Sequence, residues 1–121
     1  MPSGSFQHRV WQWIVACFPT PAHLDVQERN HRFLEEALEL AQANSCTKEE
    51  ALELVEYVFG RSKGDVRQEV GGVLVTLAAL CNATKVDMNE AAEQELGRNW
   101  SRIDRIRAKQ ADKPQGSPRP Q

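Results

Sequence analysis

The part of this sequence best suited to chemistry is a row of acidic residues. Glu35, Glu36 and Glu39 follow one another at helical spacing, and Glu69 lies further along the chain. Carboxylates three and four residues apart share one face of a helix, where their repulsion costs roughly a few tenths of a kcal/mol per pair. Magnesium and manganese ions prefer oxygen ligands, and an acid on a second helix could bind the same ion. The spacing therefore indicates a divalent metal site shared by two helices.

Apolar spacing and helix-start signals place these acids in an all-α protein. Apolar residues recur at helical spacing over 5–18 and from about 24 to 44, which predicts two helices. Three capping signals predict the starts of three more, at Thr47, Asp65 and Asp87. The sequence has no alternating strand pattern. We therefore expect an all-α fold in the form of a four- to five-helix bundle.

Length, charge and cysteine content restrict the class of protein. The 121 residues suit one domain over 1–110, and the Pro-, Gly- and polar-rich segment 111–121 is expected to be a flexible C-terminal tail. A net charge of −2 gives no general attraction to nucleic acid or to an anionic membrane, so neither is an expected partner. Three cysteines without zinc-binding spacing, and the lack of a long apolar run, predict a soluble cytoplasmic protein with reduced thiols.

Two glycines distinguish these acids from ordinary surface charge. Rows of glutamate on a solvated helix are common, and by themselves they are surface charge more often than metal ligands. Gly71 and Gly72 lie inside the helix that carries Glu69, at a cost of roughly 1–2 kcal/mol in helix propensity relative to alanine. Close approach of another helix, or of a ligand to the backbone, would offset that cost. Gly72 also lies one turn after Glu69, where a second acid would point at the same metal.

Two segments resemble a known family of nucleotide hydrolases. Residues 32–40 (RFLEEALEL) and 68–80 (QEVGGVLVTLAAL) are similar to the MazG-like all-α nucleoside triphosphate pyrophosphohydrolases, whose signature is EExxE followed by ExxD. The resemblance extends over about residues 29–102. It implies a MazG-like helical bundle that cleaves a nucleoside triphosphate between its α and β phosphates, giving the monophosphate and pyrophosphate. It also implies a homodimer or a homotetramer.

The resemblance assigns roles to the acidic residues. Glu36, Glu39 and Glu69 would bind Mg²⁺ or Mn²⁺, as the corresponding acids of the family do. Glu35 would be a supporting carboxylate or would orient water, and Glu35 or Glu36 is the candidate catalytic base.

One position departs from the family signature. Gly72 stands where the family has the aspartate of ExxD. Water or substrate phosphates could take the open coordination position, since Mg²⁺ commonly keeps both kinds of ligand. Asp65, one turn before Glu69, could substitute, although we expect it to cap its helix. The third possibility is a catalytically impaired nucleotide-binding protein or a helical interaction module, in which the glutamates are solvated charge.

A basic motif near the end of the similarity is expected to bind phosphate. The family pattern basic-Asn-x-x-Arg is matched by Arg98, Asn99 and Arg102, whose side chains would hold phosphate oxygens.

The preferred nucleobase is indicated only by resemblance. The Glu-Val-Gly-Gly variant resembles phage-type members of the family and favours dGTP or GTP, while modified nucleotides, dUTP and dCTP are the alternative substrates. Four aromatic residues could stack on a base but are more often part of a core: Trp11, Trp13, Phe33 and Trp100.

Overall fold

The regular secondary structure of the described residues is helical. The computed structural model describes residues 4–18, 24–112 and 118. These residues contain no strand, so the predicted all-α class is confirmed. The helices are α1 (Phe6–Cys17), α2 (Val26–Ala43), α3 (Lys48–Phe59), α4 (Val66–Thr84), α5 (Met88–Ser101) and α6 (Ile103–Asp112).

The predicted helix starts are confirmed by their capping hydrogen bonds. The side chains of Thr47, Asp65 and Asp87 accept hydrogen bonds from the backbone N–H three residues on, at 3.1, 3.0 and 2.9 Å. The Glu50 carboxylate in turn accepts from the Thr47 N–H at 2.8 Å, which completes a capping box. These bonds hold the pKa of Glu50 below its usual range. Short-range side-chain chemistry therefore sets where α3, α4 and α5 begin.

Helix α6 corrects the expectation of four to five helices. Its apolar residues Ile103 and Ile106 pack against the buried cluster of α1, so tertiary contact stabilises a segment whose own apolar pattern is weak. It ends at Asp112, and its last two residues overlap the predicted tail. The rest of the predicted tail, except residue 118, lies outside the described residues.

The chain divides into two compact units. The first is formed by Met1–Ala37 and Glu93–Gln121, and the second by Leu38–Ala92. The first unit has a small core of Ile14, Cys17 and Phe18, with Cys17 only 2% exposed. Burial raises the pKa of the Cys17 thiol, and the charge of Arg107 opposes that shift.

The second unit has an open apolar surface. None of the residues 38–92, all of which the structure describes, is buried. On α4, Val66 is 81% exposed and Val75 is 70% exposed, and on α3 Phe59 is 84% exposed. An isolated unit with so little burial lacks the apolar contacts that stabilise helices in water.

Across the described part of the chain no single helix combines the length and the apolar composition of a membrane span. Helices α4 and α5 meet these criteria only when taken together, as a bent pair.

A bidentate ion pair joins α1 to α5 in the first unit. Arg9 Nη1 donates to Glu93 Oε1 at 2.6 Å, and Arg9 Nη2 donates to Glu93 Oε2 at 2.5 Å. These hydrogen bonds hold the pKa of Glu93 below its usual range and raise that of Arg9. The paired geometry is the form in which an arginine and a carboxylate interact most strongly.

We predict that this ion pair makes the stability of the protein depend on pH in the acidic range. Because the folded-state pKa of Glu93 is depressed, the unfolded chain binds more protons as the pH falls, and stability falls with it. Glu93→Gln should therefore lower the melting temperature at neutral pH and lower it by less at about pH 3, because the contribution of the ion pair is lost as the pH falls through the depressed pKa of Glu93. Glu53→Gln, an exposed glutamate on α3, is the control. An equal effect of Glu93→Gln at both pH values would contradict a stabilising ion pair.

Candidate functional site

The first unit contains a cavity of about 550 Å³. Its apolar lining comes from Trp13 and Phe18 of the α1 segment and from Ile106 of α6. The rings of Trp13 and Phe18 meet edge to face, with centroids 6.0 Å apart and planes at 85°. The volume lies within the range of small-molecule sites. The cavity is therefore large enough for a ligand of nucleotide size.

Most of the polar lining is charged. Five of the lining side chains are cationic: Arg29, Arg32, Arg102, Arg105 and Lys109. Four are carboxylates: Glu28, Glu35, Glu36 and Glu95. The cavity thus has a small positive balance, whereas the whole chain has a net charge of −2. Cations and carboxylates within one cavity suit a negatively charged ligand: the cations attract it, and a carboxylate can accept a proton during its reaction.

One wall of the cavity is the N-terminal half of α2. Glu28 is buried, and its Oε2 lies 3.4 Å from Arg29 Nη2 and 3.8 Å from Arg32 Nε. Arg32 Nη1 lies 3.8 Å from Glu35 Oε1. The Arg29 guanidinium stacks on the Phe18 ring at 4.8 Å. Burial lowers the pKa of Arg29, the charge of Arg32 adds to that shift and the charge of Asp25 opposes it.

Two of the three predicted phosphate-binding residues also line the cavity. Asn99 and Arg102 both belong to the lining, and Arg102 Nη2 donates to Asn99 Oδ1 at 3.2 Å. Arg102 also lies 3.8 Å from Glu95 Oε2. Arg98 is not part of the lining, and its side chain pairs with Glu95, with Nε donating to Oε1 at 3.1 Å. The basic motif is therefore divided, with two of its side chains at the cavity.

The predicted acidic residues are distributed over both units. Glu35 and Glu36 line the cavity of the first unit. Glu39 and Glu69 belong to the second unit, where both are exposed. Their carboxylates have the oxygen chemistry that Mg²⁺ and Mn²⁺ prefer. Among the described residues, however, no three or more His, Cys, Asp or Glu side chains are grouped so that they could hold a metal ion.

The glycine pair on α4 has open space around it. A Cβ added at Gly71 would meet no atom within 4 Å outside its own helix backbone and chain neighbours, counting the described residues. A Cβ at Gly72 would lie 3.8 Å from Glu69 Oε1, the one neighbour within that distance. A helix that approaches these glycines closely, one of the two explanations for them, is therefore not found among the described residues. Two explanations for Gly71 and Gly72 remain: the approach of a ligand, and the approach of a helix from a second chain.

Several charged residues of the cavity were not singled out by the sequence, among them Arg29, Arg32 and Arg105. Arg29 and Arg32 are three residues apart on α2, and Arg32 lies one turn before Glu36. This spacing places them on the same side of the helix as the acidic motif. It could have identified them, but an arginine beside a glutamate on a helix is ordinarily a solvated pair.

No protein-family model, curated protein or solved structure matches this chain. Its function is therefore inferred from the acidic and basic motifs and from the cavity.

We predict that Gly72→Asp folds and strengthens the binding of divalent metal. The new side chain would start 3.8 Å from Glu69 Oε1, in space that is otherwise open, so the two carboxylates could bind one ion. Without metal, the gain in helix propensity and the repulsion from Glu69 should nearly cancel, leaving the free energy of unfolding within about 0.5 kcal/mol of the wild type. Calorimetric titration with Mn²⁺ and a urea melt would test both parts.

Gly72→Asn is the matched control, because it adds similar volume without the charge. Unchanged Mn²⁺ affinity in folded Gly72→Asp protein would contradict a metal site beside Glu69.

Proposed function

We propose that this protein is a MazG-like, metal-dependent nucleoside triphosphate pyrophosphohydrolase, with its chain folded as a MazG-like helical bundle. The observation that supports the proposal best is the cavity of the first unit. Glu35 and Glu36 of the acidic motif line it together with Asn99 and Arg102 of the basic motif, although the two motifs are far apart in the sequence. A cleft that combines carboxylates with an arginine fork suits the hydrolysis of a phosphoanhydride.

The proposed reaction is attack of water on the α phosphorus. The bond from the α phosphorus to the oxygen that bridges it to the β phosphorus breaks, giving the nucleoside monophosphate and pyrophosphate. Glu35 or Glu36 would accept the proton of the attacking water. Asn99 and Arg102 would hold phosphate oxygens, with Arg98 next to Asn99 on α5. These donors would stabilise the negative charge that develops on the departing pyrophosphate.

Glu36, Glu39 and Glu69 are the residues that would hold Mg²⁺ or Mn²⁺. A bound ion would neutralise phosphate charge and lower the pKa of a bound water molecule. The support for this assignment is the helical spacing and the oxygen chemistry of the three acids.

The preferred substrate of the proposed enzyme is dGTP or GTP. This preference follows from the resemblance of the Glu-Val-Gly-Gly variant to phage-type members of the family. The cavity volume of about 550 Å³ suits a nucleotide, and Trp13 in its lining offers an aromatic ring. Modified nucleotides, dUTP and dCTP are the competing substrates.

The second candidate function is a nucleotide-binding or helical interaction module that has lost catalysis. Two observations favour it: the glycine at position 72, and the lack of a group of three potential metal ligands among the described residues. Such a protein would use the cavity to bind a nucleotide without hydrolysing it.

We predict that the enzyme releases pyrophosphate from one or two members of a panel of ribo- and deoxyribonucleoside triphosphates, in the presence of Mg²⁺ or Mn²⁺. Glu39→Gln should lower turnover by roughly 100-fold, the scale on which loss of one charge-stabilising group acts in enzymes. It should also remove the rise in melting temperature caused by metal with nucleotide. Glu49→Gln, an exposed glutamate on α3, is the matched control. If folded protein released no pyrophosphate from any triphosphate of the panel, the result would favour the binding module. Full activity of Glu39→Gln would contradict the assignment of Glu39 as a metal ligand.

We also propose that the chain forms a homodimer or a homotetramer through its second unit. Support comes from the exposed apolar side chains of α3 and α4, which water would otherwise cover. Gly71 and Gly72 on the same unit leave room for a helix of a second chain.

This proposal predicts a specific effect of Val75→Lys. Because Val75 is 70% exposed within the chain, the change should leave the helices intact and disrupt association. Light scattering after size-exclusion chromatography would show a lower mass for Val75→Lys than for the wild type. Lys63→Glu, in the segment between α3 and α4, is the control for a charge change in the same unit. A monomeric wild-type protein would overturn the proposal.

A further inference from the structure

The strongest unexplained feature of the molecule is a set of buried hydrogen-bond donors without acceptors. They belong to three residues that line the cavity of the first unit: Trp13, Arg29 and Arg32. Trp13 Nε1, Arg29 Nε, Arg32 Nε and Arg32 Nη1 are all buried and have no hydrogen-bond partner among the described residues. Buried donors are almost always paired in native proteins, and those of charged groups are the most costly to leave unpaired. The set can therefore take an acceptor that the described residues do not supply.

The two carboxylates that lie beside Arg32 do not accept these hydrogen bonds. Arg32 Nε lies 3.8 Å from Glu28 Oε2, and Arg32 Nη1 lies 3.8 Å from Glu35 Oε1. Both distances permit electrostatic attraction but are too long for hydrogen bonds. The remaining nitrogen, Arg32 Nη2, donates to the Pro118 carbonyl oxygen. Two of the donor positions of Arg32 are thus left for another group.

The local charge favours an anion as that group. Arg29 and Arg32 are one turn apart on α2, and their side chains are only 27% and 20% exposed. The two cations repel each other, and burial increases the cost of keeping both charged. The buried Glu28 carboxylate lies against both guanidinium groups. An anion held by both arginines would reduce their repulsion and accept their free hydrogen bonds at the same time.

We propose that Arg29, Arg32 and the indole N–H of Trp13 form a subsite for one phosphate group of a polyphosphate chain. A tetrahedral phosphate has oxygens pointing in several directions, so it can accept from two guanidinium groups and an indole together. Asn99 and Arg102 hold a second phosphate in the same cavity. The proposal rests on the proposed function, and it adds that the cavity selects for the length of the phosphate chain. Pyrophosphate and triphosphate engage both sets of donors, whereas a single phosphate engages one.

The test is the binding of inorganic pyrophosphate, measured by calorimetry in the presence of a chelator so that no divalent metal takes part. The wild type should bind pyrophosphate at least about tenfold more tightly than orthophosphate, a difference of about 1.4 kcal/mol. Arg29→Gln and Arg32→Gln should each weaken pyrophosphate binding by about tenfold and reduce this preference. Arg67→Gln, which makes the same charge change at an exposed position of α4, should bind as the wild type does.

A third variant separates hydrogen bonding from folding. Trp13→Phe keeps an aromatic ring beside Phe18 and removes the indole N–H donor, together with part of the apolar ring surface that packs against the core. It should retain the melting temperature of the wild type to within a few degrees and still bind pyrophosphate more weakly. Circular dichroism of each variant establishes that the comparison is made on folded protein.

The outcomes distinguish this proposal from the proposed function. Weaker pyrophosphate binding in the three variants, together with a wild type that hydrolyses no triphosphate, would uphold the subsite and overturn the enzyme. Unchanged binding in folded variants, together with pyrophosphate release from triphosphates by the wild type, would overturn the subsite and uphold the enzyme. A wild type that binds orthophosphate as tightly as pyrophosphate, or binds neither, would also overturn the subsite.

Discussion

The packing of α1 against α6 around Cys17 is the constraint on which the first unit depends. Ile14, Cys17 and Phe18 are the buried residues of this cluster, and Ile103 and Ile106 cover them from α6. The same contacts shape the cavity, because Phe18 and Ile106 are also part of its lining. The apolar core and the binding site therefore share side chains. Loss of the core would change the shape of the site and the stability of the unit together.

The charged residues of α2 depend on this apolar support. Arg29 reaches the cavity by stacking on the Phe18 ring, and Glu28 is held in a buried position between two arginines. Such an arrangement is unfavourable unless the charges compensate one another or a ligand completes the compensation. Packed apolar side chains that support partly compensated charges are a general way to prepare a site for an anion.

The sequence predicted the local features of this protein better than the long-range ones. The starts of α3, α4 and α5 depend on side chains within three residues of one another, so the caps at Thr47, Asp65 and Asp87 were predicted correctly. The separation of α6 from α5 was not predicted, and the position of α6 involves packing of Ile103 and Ile106 against α1, far away in the sequence. Arg29 and Arg32 were missed for a related reason. Whether an arginine on a helix is solvated or faces a cavity is decided by the neighbouring elements.

The division of the chain into two units has a consequence for how the protein folds during synthesis. The first unit is discontinuous in sequence, since Leu38–Ala92 separates its two parts. On the ribosome, α1 emerges well before the α6 residues that cover its apolar side. Contacts between segments this far apart must wait for most of the chain and form slowly, because closing a long loop has an entropic cost. Until then, Trp13 and Phe18 would be exposed on the nascent chain, a stage at which chaperone binding or a neighbouring nascent chain would determine the yield of folded protein.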